Sequence, residues 1–130
     1  MSHLDHIARS LNLLRYSYGS VILLVGLDKL FGTDFIVSWP QYISPLALSL
    51  LPVSVPVFLI IIGLIEIAVA VLMLTKWPRL TAYLSAAWLV LIALNLLAGG
   101  YIDIAAHDLL LAVGALALAE LAAAKSKAHA

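Results

Sequence analysis

The sequence contains no cysteine and few charged residues, and both scarcities exclude classes of function. Without cysteine the chain has no disulfide, no thiol nucleophile and no iron–sulfur ligand of its own. Only 11% of the 130 residues are charged and 65% are hydrophobic, which is the composition of a membrane protein. The formal net charge of zero argues against a nucleic-acid partner. We therefore expect the lipid bilayer to be the main surrounding of this chain.

Histidine is too sparse in the apolar segments to bind a haem. Three histidines, His3, His6 and His129, lie near the ends of the chain, and His107 alone falls in an apolar stretch. A membrane haem with two axial histidines needs two of them within the spans. No group of residues has the spacing of a transition-metal site, and no nucleophile–base pattern or phosphate loop is recognisable. We expect no metal and no intrinsic cofactor, so the chain is at most a non-autonomous subunit of an enzyme.

Four apolar stretches are long enough to cross a bilayer, which takes about 20 helical residues. These four predicted spans are Leu11–Phe31, Ser54–Thr75, Leu80–Gly99 and Ile104–Ala124. They predict an all-α integral membrane four-helix bundle that forms a single domain over residues 1–130. Arg15 interrupts the first apolar run and no small-residue cleavage site follows it, so we expect this span to remain in the mature protein.

The stretch between the first two spans is too interrupted to cross a membrane. Its sequence, GTDFIVSWPQYISPLALSLLP (residues 32–52), holds three of the five prolines. It predicts a short helix in the membrane interface, anchored by Trp39 and Tyr42.

Basic residues are concentrated on one side of the predicted spans. Lys29 lies alone on the other side; the basic residues on the first side are Arg9, Arg15, Lys76, Arg79, Lys125 and Lys127. Cytoplasmic loops of membrane proteins carry the excess of lysine and arginine. The sequence therefore predicts that both termini are cytoplasmic.

Each predicted span collects small and polar residues on one face, at alternating spacings of four and three. The four stripes are Arg15, Gly19, Ile22, Gly26 and Lys29; Pro56, Leu59, Gly63, Glu66, Ala70 and Met73; Thr81, Ser85, Trp88, Ile92, Asn95 and Gly99; and Asp103, His107, Leu110, Gly114 and Ala117. This spacing is typical of helices that pack closely through small residues. We expect a polar interior, with Gly19, Gly26, Gly63 and Gly114 at helix contacts and with Tyr18, Tyr83 and Trp88 as packing residues.

Glu66 is the most informative single residue. A rise of about 1.5 Å per residue puts Glu66 near the bilayer midplane and Arg15 about 9 Å from the midplane on the cytoplasmic side. The axial gap between the two residues is then about 7 Å. We expect these two residues to pair. The pair either locks the first two spans together or leaves Glu66 to handle protons or a ligand. Snorkelling of Arg15 to the interface explains that residue equally well.

A second polar group is expected about 8–12 Å to the outer side of the middle. It comprises Lys29, Asn95 and His107, with Asp28, Asp103 and Asp108 near the rim. His107 is either a donor to a carbonyl such as that of a quinone, or a satisfied interfacial histidine. Asp108 is either part of this group or an acid in the first turn of a helix, where the helix dipole favours it.

Three segments together resemble the DoxX-like family, of the DoxX/DoxD type. RYSYGSVILLVGLDKLFG resembles the first helix of the family, and IIGLIEIAVAVLMLTKWPRLTAY resembles its second block with the basic turn. AAHDLLLAVGALALA resembles its last helix. The matching positions are Arg15, Gly19, Gly26, Lys29, Gly63, Glu66, His107 and Asp108.

The resemblance implies a bacterial inner-membrane subunit that serves a quinone- or thiol-linked redox system and works with other membrane or peripheral redox subunits. A quinone or another small lipophilic ligand is the expected occupant of the polar interior. The candidates for ligand binding or charge relay are Arg15, Lys29, Glu66, Asn95, His107 and Asp108. Two alternatives stay open, a purely structural subunit of a larger complex or of a homo-oligomer, and a small proton-coupled exporter.

Overall fold

A computed structural model describes residues 2–128, and these residues form helices and connecting turns. The helices are α1 (His3–Phe31), α2 (Pro45–Leu50), α3 (Val55–Thr75), α4 (Pro78–Ala98) and α5 (Ile102–Ala128), with a 3-10 turn at Trp39–Tyr42. All of them except α2 are long and apolar enough to cross a membrane, which makes four candidate spans. The predicted all-helical, multi-pass class is confirmed.

Helix α1 begins at His3, well before the predicted start of the first span at Leu11. Ser2 and Asp5 form a capping box, in which the Asp5 amide donates to Ser2 Oγ at 3.2 Å and the Ser2 amide donates to Asp5 Oδ2 at 2.9 Å. This reciprocal pairing satisfies amides that otherwise have no partner at a helix start. The hydropathy pattern therefore located the apolar part of α1 and missed its polar first turns.

The remaining long helices start and stop close to the predicted positions. Pro78 occupies the first turn of α4, as expected from its fixed φ. Trp77, just before it, has the left-handed φ of 47° that lets the chain reverse between α3 and α4. Gly32 ends α1 with a φ of 60°, a conformation that glycine adopts without strain.

The four long helices form a bundle made of two closely packed pairs. Helix α1 packs mainly on α3, and α4 packs mainly on α5, while α1–α5 and α3–α4 contacts join the pairs. Consecutive long helices run in opposite directions. We call the end that holds Leu11 and Leu118 the terminal end, and the end that holds the 3-10 turn and α2 the loop end.

Small residues dominate the interior and large apolar residues face outwards. The fully buried positions include Ala70, Ala82, Ala93, Ala105 and Ala115. On the outside, Leu24 and Leu91 are each 59% exposed, and Leu110 is 70% exposed. Exposed leucines along every span are what a hydrocarbon surrounding accommodates, and the alanine interior allows close helix contact.

The predicted stripes hold for α3 and fail for α5. Gly63, Glu66, Ala70 and Met73 are buried along α3, as the spacing predicted. Along α5, however, Asp103, His107 and Leu110 are exposed. The buried face consists instead of Ala105, Ala112, Ala115, Leu118, Ala119 and Ala122. The prediction followed the polar residues of α5, whereas its packing against α4 is set by the alanines, which allow the closest approach.

Candidate functional site

A salt bridge lies in the interior of the bundle between α1 and α3. The ammonium nitrogen of Lys29 is 2.6 Å from Glu66 Oε1, and the two side chains are 9% and 4% exposed. The indole nitrogen of Trp88, on α4, donates to the same oxygen at 3.3 Å. Charged groups are costly among apolar helices and are retained when they are paired. This pair is the centre of the candidate site.

Lys29 and Glu66 meet because their helices are antiparallel. Side chains on a helix lean towards its N-terminus. Lys29 therefore leans from the loop end into the bundle, and Glu66 leans back towards the loop end. The two helices also touch closely between them: a Cβ added at Gly63 would lie 2.7 Å from the carbonyl oxygen of Gly26. The two glycines thus allow the approach that the short ion pair requires.

The predicted pairing of Arg15 with Glu66 is wrong. Arg15 Nε donates instead to the main-chain oxygen of Met73 at 2.6 Å. Met73 lies seven residues beyond Glu66 on α3, a rise of about 10 Å. Arg15 leans towards the start of α1 and Glu66 leans the opposite way, so the same rule that joins Lys29 to Glu66 keeps Arg15 apart from it. Axial rise alone gives the depth of a residue, whereas the direction in which its side chain leans decides which partner it reaches.

Asp28 organises the loop that covers the salt bridge. Its carboxylate is 5% exposed and accepts from the amides of Phe35 at 2.8 Å and Ile36 at 3.1 Å. It also accepts from the Thr33 hydroxyl and, at 2.7 Å, from the Trp39 indole. The Trp39 ring lies 4.5 Å from Lys29 Nζ, within range of a cation–π contact. Residues 33–39 are thereby fastened over the Lys29 side of the pair.

The sequence interpretation placed Asp28 at the rim and missed this role. A signal was present, because Asp28 lies in the last turn of α1. The negative end of the helix dipole disfavours a carboxylate there. Such an acid needs donors from outside its helix, and the loop supplies them.

Asn95 belongs to a different contact, between α4 and the connecting segment. Its Oδ1 accepts from the Ser44 amide at 2.9 Å, and its Nδ2 donates to the Tyr42 oxygen at 2.7 Å. The Tyr101 hydroxyl donates to the Gln41 oxygen at 3.1 Å nearby. Asn95 therefore fastens the 3-10 turn and the start of α2, and the structure does not bring it to Lys29.

The two candidates on α5 separate from each other. His107 is exposed and Asp108 is half-buried. Of the predicted site residues, the structure joins Lys29 to Glu66, whereas Arg15 and Asn95 have other partners.

Tyr18 and Gly114, which were predicted separately as packing residues, meet between α1 and α5. The Tyr18 hydroxyl donates to the Leu111 oxygen at 2.5 Å, joining α1 to α5. It occupies the space that a side chain at Gly114 would need. Gly19, in contrast, faces the side chain of Leu74 on α3.

Two buried side-chain oxygens, one of them in the salt bridge, have no hydrogen-bond partner within residues 2–128. They are Glu66 Oε2 and Ser85 Oγ. Ser85 precedes Trp88 by three residues, so both lie on one face of α4, and Trp88 contacts Glu66. A buried oxygen without a partner costs free energy and calls for an explanation. Ser85 belongs to the predicted polar stripe of the third span. The spacing of that stripe does not indicate what the Ser85 hydroxyl contacts.

No group of three or more histidine, aspartate or glutamate residues in the described part of the chain is placed to bind a metal ion. No protein-family model, curated protein or solved structure matches the chain. The resemblance to DoxX-like proteins stays a sequence-based prediction.

Proposed function

We propose that this chain is a DoxX-like subunit of the bacterial inner membrane that serves a quinone- or thiol-linked redox system. In this proposal, a quinone-type head group binds inside the bundle beside Lys29 and Glu66. The observation that carries the proposal is the buried salt bridge with one carboxylate oxygen left unpaired. Because the chain has no cysteine, the electrons belong to the ligand or to a partner subunit.

The groups around the pair suit a ring that carries oxygen substituents. The Lys29 ammonium has N–H donors beyond the one given to Glu66, and Glu66 and Ser85 present oxygens without a partner. Hydrogen bonds to charged groups are strong where water is excluded. A few polar groups inside an apolar surrounding are also what sites for small lipophilic ligands have in common.

The charge distribution supports an orientation with both termini in the cytoplasm. Arg9, Lys76 and Lys125 are on elements of the terminal end, and Lys29 lies at the loop end. In this proposed orientation, the loop fastened by Asp28 and the short helix α2 lie at the outer face of the membrane. The candidate site then lies in the outer half of the bilayer.

A structural subunit of a larger membrane complex is the second candidate function. It is favoured by the number of polar side chains already used in holding the bundle together. Arg15, Tyr18 and Asn95 each bond to main-chain groups of another element. In this alternative the Lys29–Glu66 pair fixes α1 against α3 and binds nothing.

Equilibrium binding to the purified protein in lipid nanodiscs tests the proposal. The probes are short-chain ubiquinone and menaquinone analogues, each in its oxidised and its reduced form. We expect saturable binding of at least one probe, weakened by about tenfold or more in Lys29→Met because a bond to a charged group is lost. The matched control is Lys76→Met, at an exposed position between α3 and α4, which leaves binding unchanged.

Two results would contradict the proposal and favour the structural alternative. One is the absence of saturable binding of any probe. The other is equal binding by the wild type and by a folded Lys29→Met variant.

A further inference from the structure

We infer that the site beside Lys29 and Glu66 distinguishes oxidation states of its ligand and binds a hydroquinone more tightly than the corresponding quinone. This inference rests on the proposed function and names the form of the ligand that the site recognises. It comes from the hydrogen-bonding character of Glu66 Oε2, a buried oxygen without a partner among residues 2–128, with Ser85 Oγ as a second such oxygen.

Glu66 presents an acceptor to the interior. Its Oε1 already receives the Lys29 ammonium and the Trp88 indole. As the carboxylate of a salt bridge, its Oε2 can accept hydrogen bonds and cannot donate one. Glu66 Oε2 therefore needs a hydrogen-bond donor.

A quinone cannot supply that donor. Its two ring oxygens are carbonyls, which only accept, so a quinone oxygen beside Glu66 Oε2 would leave two buried acceptors facing each other. Each ring oxygen of a hydroquinone carries a proton, which can be donated to Glu66 Oε2. A site that offers a buried partner to a hydroxyl rejects an analogue without that hydroxyl more strongly than an apolar pocket does.

Ser85 Oγ is a second buried oxygen without a partner among residues 2–128. Ser85 lies three residues before Trp88 on α4, so it shares the face of the helix whose indole contacts Glu66, one turn nearer the terminal end. A serine hydroxyl both donates and accepts, so it offers a further polar contact to a ring that enters between α3 and α4.

Entry of a ring requires movement of the helices. Both oxygens are covered in the structure. Helices α3 and α4 pack against each other less extensively than α1 on α3 or α4 on α5. Separation along the α3–α4 contact would expose Glu66 and Ser85 together and would leave both tight pairs intact.

The experiment compares the dissociation constants of a short-chain ubiquinone and its hydroquinone, measured anaerobically on the wild-type protein in nanodiscs. We expect the hydroquinone to bind at least about tenfold more tightly, as follows from one additional hydrogen bond to a charged acceptor. A second probe, the dimethyl ether of the hydroquinone, is also measured on the wild-type protein. It keeps both ring oxygens and loses both hydrogen-bond donors, and we expect it to bind no more tightly than the quinone.

Glu66→Gln supplies a variant of the same shape. Its amide nitrogen can replace Oε2 and donate to a carbonyl, so the preference for the hydroquinone should disappear or reverse. Glu120→Gln is the matched control, because Glu120 is exposed on α5, and it should keep the wild-type preference.

The failure of this inference and the failure of the proposed function give different results. Equal binding of the two oxidation states, or tighter binding of the quinone, overturns the inference while the proposed function stands. An ether that binds as tightly as the hydroquinone overturns it as well, as expected if a buried water satisfies both oxygens. Binding of none of the three probes overturns the proposed function itself.

Discussion

Lys29, in the last turn of α1, and Glu66, in the middle of α3, lean towards each other from two antiparallel helices and form a salt bridge of 2.6 Å in the bundle interior. Neither charge is stable there alone, because an unpaired ion among apolar helices keeps most of its desolvation cost. The pair therefore behaves as a unit, and its energetic coupling can be measured.

Replacing one member of the pair should cost far more than replacing both. Removing one partner of a buried salt bridge typically costs about 3–5 kcal/mol, whereas exchanging both for apolar residues is often close to neutral. We expect Lys29→Met and Glu66→Met each to lower the free energy of unfolding in detergent strongly. The double variant should be more stable than either single variant.

The control for this cycle is Lys76→Met, which changes an exposed lysine. It should leave the free energy of unfolding nearly unchanged, and its effect should add to that of Glu66→Met. Additive losses for Lys29→Met and Glu66→Met would mean that the two side chains do not interact in the folded protein.

The contact between Gly26 and Gly63 makes a second prediction. A Cβ at Gly63 would meet main-chain atoms, 2.7 Å from the Gly26 oxygen and 2.9 Å from the Leu30 nitrogen, and these cannot rotate away. Gly63→Ala should therefore force α1 and α3 apart and cost about 1–3 kcal/mol, as overpacking does. Thermal unfolding in detergent measures this loss.

Gly99→Ala is the comparison, since the nearest atom to a Cβ at Gly99 is 3.4 Å away, an ordinary contact. A loss at Gly63 no larger than the loss at Gly99 would contradict the close approach of α1 and α3.

The sequence predicted the spans because a membrane imposes length and apolarity on any helix that crosses it. It also predicted the buried face of α3, where glycine, glutamate and alanine share one stripe. It could not predict the face of α5, because alanines lie at several phases of that helix and only packing against α4 selects one of them.

The sequence predicted the residues of the candidate site but gave the wrong partner for Glu66. The sequence predicts both Lys29 and Glu66 as interior polar residues, but depth along the helix axis alone pairs Glu66 with Arg15. The direction in which helical side chains lean selects Lys29 instead. The sequence predicted no contact for the Ser85 hydroxyl, for a different reason. A serine in an apolar helix usually bonds to its own main chain, and only the structure shows that its hydroxyl is unpaired.

Asp28→Asn tests the loop over the salt bridge. The Asp28 carboxylate accepts four hydrogen bonds from Thr33, Phe35, Ile36 and Trp39. The asparagine amide keeps one acceptor oxygen. It replaces the other oxygen by an NH₂ group, which cannot accept from the donors that faced that oxygen. We expect faster hydrogen exchange at the amides of Phe35 and Ile36, with no change in α5. Asp103→Asn, at an exposed position, is the control, and equal exchange in both variants would contradict this role.

Asn95→Ala tests whether Asn95 holds the connecting segment against α4 or contacts a ligand. Asn95 bonds to the main chain at Tyr42 and Ser44, so its loss should free residues 42–50 from α4 and speed their hydrogen exchange. Asn12→Ala, at an exposed position of α1, should leave that exchange unchanged. Ligand affinity should be retained. A loss of affinity as large as that of Lys29→Met would show that Asn95 belongs to the binding site.

The absence of cysteine makes the proposed orientation directly testable with single-cysteine variants. Ser38, in the loop between α1 and the 3-10 turn, and Ser126, near the end of α5, are both exposed. With the termini in the cytoplasm, a membrane-impermeant maleimide should label Ser38→Cys in intact spheroplasts and label Ser126→Cys only after lysis. The wild type serves as the unlabelled control. The reverse pattern would show that lysine and arginine placement does not set the orientation of this chain, and would move the Lys29–Glu66 site to the inner half of the bilayer.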